Sequence, residues 1–282
     1  MRVKPAAVDD VERMADLAAE KRAAQALWDP EFWRVAERAR ELHPLYLRFL
    51  LTRPDTVARV SLDSNERIDG FVIARCASAC LIDDFTVESP ELWPSVGRAL
   101  LDDAVAGARA HEPRDLVVVC AARDEAKAAM LERAGLEVSC SFLRRRLPGA
   151  SSEPSRDVRL ARDSDSPAIE ALSRSRVALH HGMPVTDADL CLVLEEGGNV
   201  TGYARAKTGF PVPPVYAPGG TPCFVPELVG AGALLAELEA RAAAKGDTQL
   251  LIACAASEAD LRGLLDARGY GHPVDWYHRA LR

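Results

Sequence analysis

The chain has 282 residues, 48% hydrophobic and 27% charged, with a net charge of −7. That is more than one ordinary domain core requires and enough for two, in a globular rather than disordered composition. No apolar run approaches the ~18 residues of a membrane span, Met1–Pro5 carries no secretory signal, and the scattered arginines lack the basic footprint that a phosphate backbone requires. A cytoplasmic protein without membrane or nucleic-acid partners is expected. The preference for Ala and for Arg over Lys suggests a bacterial genome rich in G and C. Seven cysteines without a Cys-x-x-Cys argue against a disulfide framework and against a metal site.

In chain order, Val3–Pro5 reads as a short strand, and Asp9-Asp10 opens a helix with Val11, Met14 and Leu17 on one face. An additional segment follows around 24–51. Its aromatic stretch Leu27–Trp33, with His43 and Tyr46, suits either a substrate pocket or a packing surface. Val57–Leu62 and Gly70–Cys76 form a hairpin around Asn65-Glu66-Arg67, and Leu81–Val87 is a further strand. Gly97–Ala110 is a helix, and Leu116–Cys120 a strand buried on both faces. Asp124–Ala134 is a helix stopped by Gly135, and Val138–Arg144 closes the series as a strand. The order β-α-ββ-β-α-β-α-β describes an α/β (α+β) mixed sheet with helices on its faces.

The chain then repeats itself. At an offset of 134 residues, Ala99-Leu100-Leu101 falls on Ala233-Leu234-Leu235, Cys120-Ala121-Ala122 on Cys254-Ala255-Ala256, and Gly135 on Gly269. Upstream, with gaps, Ile68-Asp69-Gly70-Phe71 matches Val200-Thr201-Gly202-Tyr203. Two homologous domains, 1–147 and 157–282, are expected, joined by the linker-like Pro148–Ser155. His180-His181 reads as part of a polar loop and Phe210–Tyr216 as an extended loop, while the strand-ending Cys120 and Cys254 read as inert packing residues.

The segment Val87-Glu88-Ser89-Pro90-Glu91-Leu92-Trp93-Pro94-Ser95-Val96-Gly97-Arg98-Ala99-Leu100-Leu101 resembles the strand–loop–helix signature of the GNAT (GCN5-related N-acetyltransferase) family. Two tandem domains of that fold are implied. In the family, the loop's backbone amides and the helix N-terminus hold the acyl-CoA pyrophosphate, an arrangement that suits an anion whatever the side chains. The resemblance assigns acetyl-CoA as co-substrate and Phe85, Val87, Ser95, Val96, Gly97, Arg98 and Ala99 as its binding residues, more in the first copy than in the second. Leu92 and Ser95 replace the family's Arg/Gln and first Gly. The second copy has Pro226, Val229 and Ala231 at the equivalent sites, or Gly230-Ala231-Gly232 with a shift of one residue.

The tyrosine that the family often uses as general acid is replaced by Leu131 and Leu265. Asp84 and Glu88, on one face of the strand before the signature, are the catalytic candidates. A carboxylate beside a desolvated cleft can take the proton of an attacking amine. The resemblance implies an acetyl-CoA-dependent N-acetyltransferase with a small-molecule or peptide amine acceptor, as a monomer or homodimer. The alternative is an inactive acyl-CoA or metabolite-binding, or interaction, protein.

Overall fold

The computed structural model describes residues 1–147, 157–173, 188–209 and 220–281. The linker Pro148–Ser155, His180-His181 and Phe210–Tyr216 lie outside the described residues. The chain forms two compact units, each an α/β assembly built on a mixed sheet.

In the first unit, β1 (Arg2–Pro5) leads into α1 (Val11–Trp28) and α2 (Ala39–Leu51), followed by β2 (Thr56–Leu62), β3 (Ile68–Cys76) and β4 (Ala79–Val87). Then come α3 (Arg98–Ala108), β5 (Asp115–Ala121) and α4 (Glu125–Arg133). The β2–β3 turn forms because Asp63 Oδ1 accepts from Asn65 N at 2.7 Å and Arg67 N at 2.9 Å. The sheet runs β1-β2-β3-β4-β5, antiparallel except for the β4–β5 pair. Its two faces bury separate cores. One, with Met14, Leu17, Leu47 and Phe71, lies under α1 and α2; the other, with Phe85, Trp93, Leu100, Leu116 and Leu131, lies under α3 and α4.

The second unit contains most of β6 (Glu137–Arg146), then β7 (Val158–Leu160), α5 (Ser166–Ser173), β8 (Leu190–Glu196) and β9 (Asn199–Lys207). After these come β10 (Pro222–Val229), α6 (Ala231–Ala244), β11 (Gln249–Ala255) and α7 (Ala259–Ala267). Its sheet runs β6-β11-β10-β9-β8-β7, with β10 and β11 parallel. The repeat persists in the local geometry. Gly135 and Gly269 both take positive φ, +77° and +76°, to close their helices, and Leu136 N and Tyr270 N bond back to Leu131 O and Leu265 O. The Cys120 and Cys254 thiols donate to Asp124 O and Glu258 O at 3.9 and 3.8 Å.

The boundaries expected at 147 and 157 need a correction, because each half gives its last strand to the other unit. Residues from Cys140 onward, most of β6, belong to the second unit, where β6 pairs with β11 from Arg146↔Gln249 to Cys140↔Ala255. Conversely β12 (Gly271–Ala280) pairs with β5 over seven residues, Ala280↔Asp115 to Val274↔Ala121. His278 Nε2 lies 2.8 Å from Asp115 Oδ1, Arg279 donates to Ala134 O, and Tyr277 enters the first unit's core. Sequence pattern alone cannot reveal this, since an exchanged strand carries the same alternation as an unexchanged one. A chain ending at 147 therefore leaves β5 with a bare edge. Residues 1–147 expressed alone are expected to aggregate or self-associate, and adding a 271–282 peptide should restore solubility; a stable, soluble monomeric 1–147 would contradict the exchange.

Candidate functional site

β4 and β5 run together only from Ala79↔Asp115 to Ile82↔Val118 and separate beyond. On its other edge β4 bulges, with Asp83 and Asp84 together facing Ile73 between the pairs Ile82↔Ala74 and Phe85↔Val72. The separation strips sheet partners from carbonyls on both strands, and buried carbonyls must find donors.

Two lysines supply them. Lys127, on α4 and 1% exposed, donates to Val119 O at 2.8 Å and Phe85 O at 3.3 Å. Lys21, on α1, donates to the same Phe85 O at 2.7 Å and stands 3.7 Å from Asp124 Oδ2. Both ammonium groups lie over aromatic rings: Lys21 is 5.1 Å from Trp93, and Lys127 is 5.1 Å from Phe85 and 5.4 Å from Trp93. Burial first, then the neighbouring Lys127 charge, pull the Lys21 amine down to about 7, against the raising effect of Asp124. Burial likewise pushes the Cys120 thiol up to about 12, which makes it inert.

What remains between the strands is a cavity of about 40 Å³, lined by Lys21, Asp83, Asp84, Trp33 and Lys127 among others. A water needs roughly 10–15 Å³ on this measure, so the space suits a few atoms and not the pantetheine arm of a coenzyme.

The turn into α3 is also closed. Ser89 is extended and Pro90 follows at the first helical position, a common helix start. The chain coils from there through a tight turn (Pro90–Leu92) and a wide π-type turn (Trp93–Gly97) directly into α3. This corrects the expected open loop: the amides from Ser95 to Ala99 lie within a continuous helical run. Gly97 has an ordinary helical φ of −59°, and a Cβ there would come within 2.4 Å of the Trp93 ring. Trp93 is buried and meets Phe85 edge-on at 4.8 Å, a pairing worth about 0.5–1.5 kcal/mol beyond its area.

The remaining candidates distribute as follows. Val87 and Val96 are buried, and Val87 pairs with Gly70. Ser95 is exposed, Ala99 is half-buried, and Arg98 bonds Asp102 at 2.8 Å. Glu88 is held by Arg13 at 2.6 Å and Arg67 at 3.0 Å, a partly exposed ion-pair cluster away from the cavity. Asp84 does line the cavity, 3.9 Å from His43 Nε2. Asp83 is exposed to solvent; desolvation by the surrounding protein, and then Asp84, raise its carboxyl above its ordinary range. Leu131 and Leu265, where the tyrosines were sought, are fully buried core residues. Sequence reasoning missed Lys21 and Lys127. Their signal was position: Lys21 continues the buried face Met14, Leu17, Ala18, and Lys127 the face Met130, Leu131.

The second unit repeats the geometry with different contents. β10 and β11 pair from Pro222↔Gln249 to Val225↔Ile252 and then separate, while β10 bulges against β9 between Phe224 and Glu227. Ile252 is Val118 plus the repeat offset (118 + 134), so Val225 takes the place of Ile82 and Glu227 that of Asp84. Glu227 is buried, accepts from Tyr203 Oη at 2.9 Å and lies 3.5 Å from Arg205. Leu261 stands where Lys127 would be (127 + 134), so no ammonium enters from that position. A single residue, Gly230 at φ +77°, separates β10 from α6, and a Cβ on exposed Gly232 would meet nothing within 4 Å. The first amides of α6 thus emerge next to the gap, where a helix has unpaired donors.

Among the described residues there is no helix long and apolar enough to cross a membrane, and no group of three or more side chains able to hold a metal. The sequence matches no protein-family model and no curated protein. Solved structures do resemble it. A GCN5-related N-acetyltransferase from Sphaerobacter thermophilus matches with a TM-score of 0.63 at 12% identity, covering 100% of this chain and 96% of that one. A putative acetyltransferase from Pyrococcus horikoshii matches at 0.51 and 11% identity, covering 100% of this chain and 89% of that one. A glucosamine N-acetyltransferase region of a fungal multi-domain β-N-acetylglucosaminidase matches at 0.57 and 13% identity, covering 99% of this chain and 38% of that one. The chain has the GNAT fold, and the full-length matches include both halves.

The buried amine makes a prediction. Lys21 has a folded pKa of about 7 against an ordinary value of 10.5, so between these values the unfolded chain binds more protons and stability rises with pH. Lys21→Met removes that dependence. Its unfolding free energy minus that of the native protein, measured in urea, is expected to fall from pH 7 to pH 10; a constant difference would show that Lys21 titrates normally.

Proposed function

We propose that the protein is an acyl-CoA-dependent N-acyltransferase, with acetyl-CoA as the donor and a small-molecule or peptide amine as the acceptor, and that the second unit takes the acyl-CoA. The observation that carries this reading is the contrast between two equivalent gaps. In the first unit, two lysines and Trp93 fill the region where a thioester and a diphosphate would have to lie. In the second, the strands separate in the same register, leucine replaces the lysine, and a helix begins one residue after the strand with open space at Gly232. This reverses the sequence expectation that the first copy binds the coenzyme, and it moves the proposed binding residues from Ser95–Ala99 to Gly230–Gly232.

The reaction is direct attack. The neutral amine adds to the thioester carbonyl carbon, the tetrahedral intermediate expels the CoA thiolate, and the new amide's extra proton passes to a base. Glu227 is that base: it is buried, beside the gap, and oriented by the Tyr203 hydroxyl and Arg205. A backbone N–H on the separated part of β10 polarises the carbonyl. Asp84, in the corresponding place of the first unit, has no access to a coenzyme and acts within the lysine-filled cavity.

The competing reading is a protein that binds acyl-CoA without turnover. Its support is that Leu131 and Leu265 leave no tyrosine to protonate the departing thiolate. Thiol release from acetyl-CoA over a panel of amines separates the two readings.

Two outcomes test the assignment. Coenzyme A at 100 times its Kd should stabilise the protein by about 2.7 kcal/mol. Gly232→Glu places a carboxylate at the α6 N-terminus without a steric cost, so its Tm should hold while CoA affinity drops about tenfold or more by charge repulsion. Unchanged affinity would place the coenzyme elsewhere. Glu227→Gln should lower kcat by about 10²–10⁴ with little change in KM, and a fully active variant would remove Glu227 as base.

A further inference from the structure

We propose that Lys21 is a carbonyl-reactive amine and that the cavity between β4 and β5 receives a short-chain aldehyde or ketone as its imine. This stands apart from acyl transfer in the second unit and does not depend on it.

Geometry carries the inference. The Lys21 side chain is 19% exposed, so reagents can reach it, and it lines a cavity of about 40 Å³, matched to a carbonyl compound of a few heavy atoms. Lys127 donates to Phe85 O and Val119 O, and Lys21 donates to the same Phe85 O, so the two amines are held together on one carbonyl oxygen over the Trp93 ring. Burial, and then the Lys127 charge beside it, hold the Lys21 amine down to about 7, so a lone pair is available near neutrality. A desolvated lysine beside a second cation is the arrangement that turns an amine into a nucleophile at neutral pH.

The surrounding charges select the electrophile. Lys21, Lys127 and Arg22 face the cavity from α1 and α4, and Asp83 and Asp84 face it from β4, with Asp124 at 3.7 Å from Lys21 and the Cys120 thiol nearby on β5. With Lys21 neutral, the three carboxylates outnumber the two cations Lys127 and Arg22, so the cavity has no net attraction for an anion. A neutral carbonyl compound enters without an electrostatic cost.

The Lys21 lone pair adds to the carbonyl carbon, forming the C–N bond, and the oxygen takes up a proton to give a carbinolamine. Loss of that hydroxyl as water, with a proton from an acid, forms the C=N bond. The sum is amine plus carbonyl giving imine plus water, with no redox change. Asp83, exposed to solvent and lining the cavity, relays that proton from water. The resulting iminium lies near Asp124 and the Trp93 ring.

The full-length protein is treated with acetaldehyde and sodium cyanoborohydride at pH 7, and all five lysines are followed by peptide mapping. Lys21 should be ethylated about tenfold or more faster than Lys4, Lys207 and Lys245, because its lowered pKa leaves it partly neutral at that pH. Its rate should level off just above neutrality. Lys127→Met should slow Lys21 at pH 7 and leave Lys4 unchanged, and benzaldehyde, too large for the cavity, should show no preference for Lys21. Labelling of Lys21 no faster than Lys4, a pH profile parallel to that of Lys4, or an equal preference with benzaldehyde would overturn the proposal.

Discussion

The structure of the first unit turns on a backbone shortage. Where β4 and β5 part beyond Ile82 and Val118, carbonyls lose their ladder partners inside the protein, and the unsatisfied cost of each is about 1–3 kcal/mol. Phe85 O and Val119 O are served by Lys127 and Lys21. Satisfying them internally brings two amines into a buried gap, where desolvation, and then the Lys127 charge, lower the Lys21 pKa. Filling the gap and lowering the Lys21 pKa are two results of one arrangement.

The second unit meets the same shortage differently. Its strands part at the equivalent register, yet Leu261 brings no ammonium, and Glu227 with Tyr203 replaces the Asp83-Asp84 bulge chemistry. α6 begins one residue after β10, with Gly230 at positive φ and its Cα packed against Gly202, where a Cβ would come within 2.6 Å of Val229 O. α3, by contrast, is preceded by two helical turns that absorb its leading amides. The two units share one arrangement of separating strands, and their strand–helix junctions differ in how many donors they leave available.

Much of the architecture was legible because it rests on local pattern. The hairpin at Asp63–Arg67, the buried strand around Leu116–Cys120, and the helix stops at Gly135 and Gly269 each follow from residues close in sequence. The α3 junction was misjudged for an equally local reason. Gly97 looked like a loop glycine, whereas Ser89-Pro90-Glu91 already carries a helix start, and Gly97 is small because the Trp93 ring lies against it.

By itself, the sequence determined the two-fold repeat, the mixed α/β fold and the placement of Asp84 and Glu88 on the strand before the first junction, since these depend on periodicity and spacing. Only the tertiary structure decided which strand completes which sheet, since β6 and β12 carry interchangeable patterns and pair with β11 and β5 across long sequence separations. It also decided what occupies each gap. Lys21 and Lys127 are 106 positions apart (127 − 21), and nothing in the spacing of two surface-type residues foretells that folding will set both on one carbonyl oxygen.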